Sequence, residues 1–89
     1  MTRYSIDYAP KAEKQLRAVR DARLALRLKR AIDLLAENPR PDGCLKLVGE
    51  VDQWRVRVGD WRIVYVIEDG RLLVLVVTVA PRGGAYRGL

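Results

Sequence analysis

The chain has 89 residues, with 17 Lys and Arg against 11 Asp and Glu, no histidine and one cysteine, giving a formal net charge of +6 and a pI near 10.0. This length supports one domain, expected over residues 1–89, with one modest core. The composition excludes an internal disulfide, a His/Cys metal centre and any mechanism that runs on histidine, while the charge points to phosphate backbones or an acidic protein as partners.

Tyr4, Ile6 and Tyr8 alternate with Ser5 and Asp7, the period of a strand with one buried face. Pro10 then stands where a first helical turn tolerates it, and Ala12, Leu16 and Val19 follow at helical spacing. Asp21 is placed to cap a longer helix whose apolar stripe is Leu24, Leu28, Ala31, Ile32 and Leu35, ended by the Asn38-Pro39 step. "PRPDG", from Pro39 to Gly43, is turn chemistry, and beyond it the period changes to that of strands. Short strands are expected at Leu45–Leu47 and from Gln53, then at Trp61–Glu68 and Arg71–Val79, with two-residue turns at Gly59-Asp60 and Asp69-Gly70. The order β-α-α-β-β-β-β predicts an α+β fold, with an N-terminal helical hairpin packed on one face of a mainly antiparallel sheet. No stretch has signal-peptide character, and the longest apolar run, Leu72–Ala80, is too short to cross a bilayer, so a soluble cytoplasmic protein with no membrane partner is expected.

The segment "WRVRVGDWR", Trp54 to Arg62, carries the most information about function. A turn at Gly59-Asp60 sets Val58 opposite Trp61, Arg57 opposite Arg62, Val56 opposite Ile63 and Trp54 opposite Tyr65. Alternation then sends Trp54, Val56, Val58, Trp61, Ile63 and Tyr65 to the helix side and gathers Arg55, Arg57 and Arg62 on the other, with Val77 expected beside Arg62. Like charges opposed across a ladder are destabilising, so a bound polyanion is one reason to keep them; solvation, or pairing with Asp60, Asp52 or Glu50, is the plainer alternative. Val64, Val66, Leu73 and Leu75 extend the same face and call for a cover, either the C-terminal tail or another chain. Arg82 and Tyr86 follow the last strand, within reach of the patch. Arg23, Arg27 and Arg30 share one side of the long helix, read either as a solvated face or as a second footprint on a large RNA.

The sequence offers no histidine-paired nucleophile, no carboxylate pair at a plausible site, no metal cluster and no phosphate-cradling glycine loop, and no cofactor is expected. RNA, however, brings its own nucleophile in the 2′-hydroxyl, so strand cleavage needs held geometry, cations around the phosphorane and proton transfer. Arginine supplies the first two and not the third. Lys46, counted with Arg23, Arg27 and Arg30 among the RNA-binding residues, is the candidate base, since neighbouring positive charge lowers a lysine pKa, and Tyr86 is the candidate acid.

"YSIDYAPKAEKQL", "ENPRPDGCLKLVG" and "WRVRVGDWRIVYVIEDGRLLVLVVTVAPRGGAY" together resemble the RelE branch of the RelE/ParE toxin superfamily over nearly the whole chain. The resemblance implies the toxin of a type II toxin–antitoxin system, a ribosome-dependent endoribonuclease that cuts messenger RNA in the A site. Its implied partners are an acidic antitoxin, the ribosome and mRNA, with operator DNA met only through the antitoxin complex. The implied catalytic residues are Arg55, Arg57, Arg62, Arg82 and Tyr86. The sequence departs from the family's best-known nucleases by carrying arginine instead of lysine at 55 and 57, and Pro81 where His or Lys often precedes the terminal arginine. These changes bear on cleavage rate more than on RNA binding, because phosphate contacts need charge more than a particular pKa. A ParE-like gyrase-poisoning toxin and a catalytically weak module acting with its antitoxin are the alternative readings.

Overall fold

The computed structural model describes residues 3–49 and 52–81. Its elements are β1 (Ser5–Tyr8), α1 (Pro10–Arg17), α2 (Ala22–Leu34), β2 (Leu45–Leu47), β3 (Gln53–Val58), β4 (Trp61–Glu68) and β5 (Leu73–Pro81), with a 3₁₀ turn over Asp69–Arg71. The five strands form one sheet in the order β1-β5-β4-β3-β2, in which β1 runs parallel to β5 and the other neighbours are antiparallel. The predicted α+β architecture is the one observed.

Local chemistry accounts for the helix starts. Pro10 opens α1, where its missing N–H costs nothing, and the Asp21 carboxylate accepts the backbone N–H groups of Arg23 and Leu24 at the head of α2. Burial then orients both helices. Ala12 of α1 and Leu28, Ile32 and Leu35 along α2 pack onto Val56, Ile63, Tyr65, Ile67, Val74, Val76 and Val79 of the sheet. Trp54, Val58 and Trp61 flank this core, so the helix-side half of the alternation in "WRVRVGDWR" is as the sequence predicts. Tyr65, fully buried, donates its hydroxyl to the Pro39 carbonyl at 2.7 Å and so ties the segment after α2 to the middle of the sheet.

The β3–β4 register matches expectation pair for pair, including Arg57 opposite Arg62. Gly59 has φ +60 and Asp60 does not share a positive φ, the φ pattern of a type II′ hairpin turn, which matches the strands' twist. The β4–β5 connection differs from the expected two-residue turn. Residues Asp69–Arg71 form a 3₁₀ turn and Leu72 closes it at φ +50, so β5 begins at Leu73 and continues to Pro81, which pairs with Trp61. A bulge at Val64/Tyr65 adds a further offset, and Ala80, not Val77, lies opposite Arg62. Alternation fails to predict a bulge because the extra residue carries no signal in side-chain period.

Candidate nucleic-acid interface

Cross-strand partners point to the same side of a sheet, so the register defines an arginine face: Ser5 and Asp7 on β1, Leu45 and Leu47 on β2, Gln53, Arg55 and Arg57 on β3, Arg62, Val64, Val66 and Glu68 on β4, and Leu73, Leu75, Thr78 and Ala80 on β5, with the two carboxylates at the end away from the arginines. Arg57 is exposed, whereas Arg55 and Arg62 are half-buried and the Arg62 Nε is out of reach of solvent. Among the described residues no ion pair joins Arg55 or Arg57 to a carboxylate; Asp52, one of the expected partners, instead meets Lys46 Nζ at 3.5 Å, and Glu50, another, lies outside the described residues. Arg57 and Arg62 stand directly opposite each other in the ladder, on the face away from the apolar core, an arrangement suited to a polyanion.

Lys46 requires a correction. It lies opposite Trp54, and its ammonium sits 6.0 Å from that ring's centroid, so it stands on the helix side of the sheet and not among the arginines. The Trp54 ring takes a second cation, Arg40, at 5.1 Å. Arg40 in turn grips Asp69 through two hydrogen bonds of 3.2 and 2.9 Å, and the Tyr4 hydroxyl donates to the same carboxylate at 2.6 Å. The Arg40 bonds, then the Tyr4 bond, hold the Asp69 carboxyl down to about 2. The bond to Asp69 likewise pushes the Tyr4 hydroxyl up. This cluster clamps the loop after α2 onto the 3₁₀ turn, and its charges are satisfied internally.

The basic stripe of α2 does not reach the arginine face. Arg23 and Arg27 line a hollow against the hairpin tip, with Asp21, Gly59, Asp60 and Trp61, and the Arg27 guanidinium lies close enough that a Cβ on Gly59 would approach it to 3.3 Å. Arg30 lies further along, in a shallow hollow with Arg3, Asp33 and Glu37. Arg82 and Tyr86 fall outside the described residues. Among the described residues no group of His, Cys, Asp or Glu is placed to hold a metal ion, and no helix is long and apolar enough to cross a membrane.

Sequence reasoning missed one cation on the arginine side. Lys11 of α1 borders the same groove as Arg62, Val64 and Ala80. Its signal was its place four residues before Gln15, on the side of the helix away from Ala12 and Leu16. Reading the helical hairpin as lying wholly over one face concealed it, since α1 sits at the sheet's edge.

A family model described as the ParE toxin of the type II toxin–antitoxin system parDE matches residues 6–86. Among solved structures, the archaeal RelE–RelB complex from Pyrococcus horikoshii OT3 contains a chain that is 28% identical, with a TM-score of 0.78 and coverage of 96% of this chain and 100% of that one. A chain of the intact E. coli RelBE toxin–antitoxin complex is 26% identical at a TM-score of 0.76, covering 90% of this chain and 98% of the other. The YoeB/ParE toxin from Agrobacterium tumefaciens, 17% identical, shares the fold at a TM-score of 0.74, over 89% of this chain and 99% of that one. No curated protein sequence matches. With the family model spanning nearly the whole chain and RelE chains superposing on the same five-stranded sheet, the protein belongs to the ParE toxin family of type II toxin–antitoxin systems, as a RelE-like member of the RelE/ParE superfamily.

Proposed function

We propose that this toxin is a ribosome-dependent endoribonuclease that cuts messenger RNA in the ribosomal A site. The observation that carries this reading is the direct opposition of Arg57 and Arg62, beside Arg55, on the sheet face away from the core. In the reaction the RNA's 2′-oxygen bonds to the adjacent phosphorus and the bond to the 5′-oxygen breaks, leaving a 2′,3′-cyclic phosphate and a 5′-hydroxyl. Arg55, Arg57 and Arg62, joined by Arg82, hold the phosphate and stabilise the charge that builds on the phosphorane. The 2′-hydroxyl proton leaves to water or a phosphate oxygen, and Tyr86 returns a proton to the departing 5′-oxygen. The reading requires no metal, because nucleophile and electrophile belong to one RNA strand held in line.

Arg23 and Arg27, at the hairpin tip, and Arg30 beyond them extend the basic surface toward a large RNA, where phosphate contacts need no special geometry. Lys46 serves at most as a peripheral phosphate contact, since it stands across the sheet from the arginines. An acidic antitoxin, as RelB is partner to RelE in the similar complexes, neutralises the toxin in the cytoplasm by complementing its +6 charge, and operator DNA is met through that complex.

Primer extension on a translated message tests the proposal. New 5′ ends within the A-site codon, present with ribosomes and absent without them, are the expected result; none under either condition would overturn it. Gyrase poisoning is the second reading, favoured by the ParE description of the matched family. It would instead give cleaved gyrase–DNA complexes on expression.

A further inference from the structure

Along the last stretch of β5 the neighbouring strand is replaced by a helix. β1 ends its pairing at Tyr8 opposite Val76, and the Ala9 N–H makes a last bond to the Val76 carbonyl. Beyond that point the Val79 N–H donates to the side-chain carbonyl of Gln15 at 2.8 Å, so a glutamine of α1 satisfies an edge group that a strand would otherwise pair. This bond fixes the azimuth of α1. It turns Lys11, one helical turn earlier and exposed, toward a groove on the arginine face.

The groove is about 350 Å³, near the lower end of the ~300–1,000 Å³ of small-ligand sites, which suits one nucleotide. Val64 and Ala80 are buried in its floor. Gln53 and Thr78 stand around that floor, Lys11 and Arg62 supply two cations, and among the described residues no carboxylate lines it. An apolar floor with a primary amide beside it matches a nucleobase, whose face is apolar and whose edge pairs donor with acceptor; two cations at its margin match a phosphate.

Resting on the reading of the arginine face as an RNA surface, we propose that this groove is a one-nucleotide subsite. The base lies on Val64 and Ala80, the Gln53 amide reads its edge, and Lys11 and Arg62 hold its phosphate. Gln15 acts as a positioning residue that keeps α1, and with it Lys11, against β5.

The test uses the purified toxin, without ribosomes, and an RNA dinucleotide carrying 2′-deoxyribose at its first residue so that it cannot be cleaved. Saturation is expected to shift the side-chain amide resonances of Gln15 and Gln53. Lys11→Ala is expected to weaken binding about tenfold and to reduce the salt slope by about one, with Lys11→Arg restoring both. Gln53→Ala is expected to flatten the preference among the four bases while an abasic analogue binds it as well as the parent. Amide resonances that stay put at saturation, Lys11→Ala binding like the parent, or no binding of the dinucleotide at millimolar concentration would each overturn the subsite. Because the probe is not cut, this result is independent of the cleavage assay. A toxin that binds the dinucleotide as described yet leaves no 5′ ends would refute the nuclease and keep the subsite.

Discussion

The two faces of the β3–β4 ladder are drawn from one alternating sequence and follow opposite rules. On the helix side Val56, Ile63 and Tyr65 are buried against Leu28, Ile32 and Leu35, where each contact removes apolar surface from water. On the other side Arg57 and Arg62 are set opposite each other, where proximity costs free energy. The first face is explained by stability alone; the second is the one on which the proposed function rests. A similar contrast separates two arginine clusters, since Arg40 is neutralised by a bidentate bond to Asp69 while Arg55 and Arg57 meet no carboxylate among the described residues.

The largest effect is expected on the helix side. Tyr65→Ala, at a fully buried position, should cost roughly 3–5 kcal/mol by chemical denaturation, whereas Tyr65→Phe, which keeps the ring and removes only the bond to the Pro39 carbonyl, should cost about 1–2 kcal/mol. Equal losses for the two would show that packing at this position has been overvalued. At the hairpin tip, Gly59→Ala forces an L side chain to φ +60 and brings its Cβ to 3.3 Å from the mobile end of Arg27, so a loss of roughly 1 kcal/mol is expected in the same assay. An unchanged midpoint would mean that the turn relaxes.

The smallest effect concerns the Arg40–Asp69–Tyr4 clamp, and it depends on pH. Asp69 is held down from an ordinary 3.8 to about 2, by Arg40 first and Tyr4 second. A carboxylate whose folded value lies below its unfolded value stabilises the fold above the unfolded value, and that contribution is lost as pH falls through the folded one. Asp69→Asn should therefore be less stable than the parent at pH 6, with the gap closing between about pH 4 and pH 2. A gap independent of pH would assign the clamp to shape and not to charge.

Much of this was legible in the sequence. The capping Asp21, Pro10 in the first turn, and strict alternation from Trp54 to Tyr65 are local signals with single structural meanings, and they fixed the helix starts and the β3–β4 register. What escaped was non-local. The 3₁₀ connection and the bulge that together replace Val77 by Ala80 opposite Arg62, the place of α1 at the edge of β5, and hence Lys11 beside Arg62, depend on how elements dock. Lys46 was misplaced for a related reason: the strand period of Leu45–Leu47 was clear, but its parity against β3 is set by the loop between them. Arg82 and Tyr86 lie outside the described residues, so their roles rest on the family resemblance.

Arg57→Ala tests the arginine face most directly when activity and stability are read on the same protein. Removing the exposed member of the opposed pair should leave the denaturation midpoint unchanged or raise stability by up to about 1 kcal/mol, while A-site cleavage and growth arrest at equal expression fall about a hundredfold or more. Full toxicity in Arg57→Ala, or a loss of toxicity explained by an equally large loss of stability, would contradict the assignment of this face to RNA.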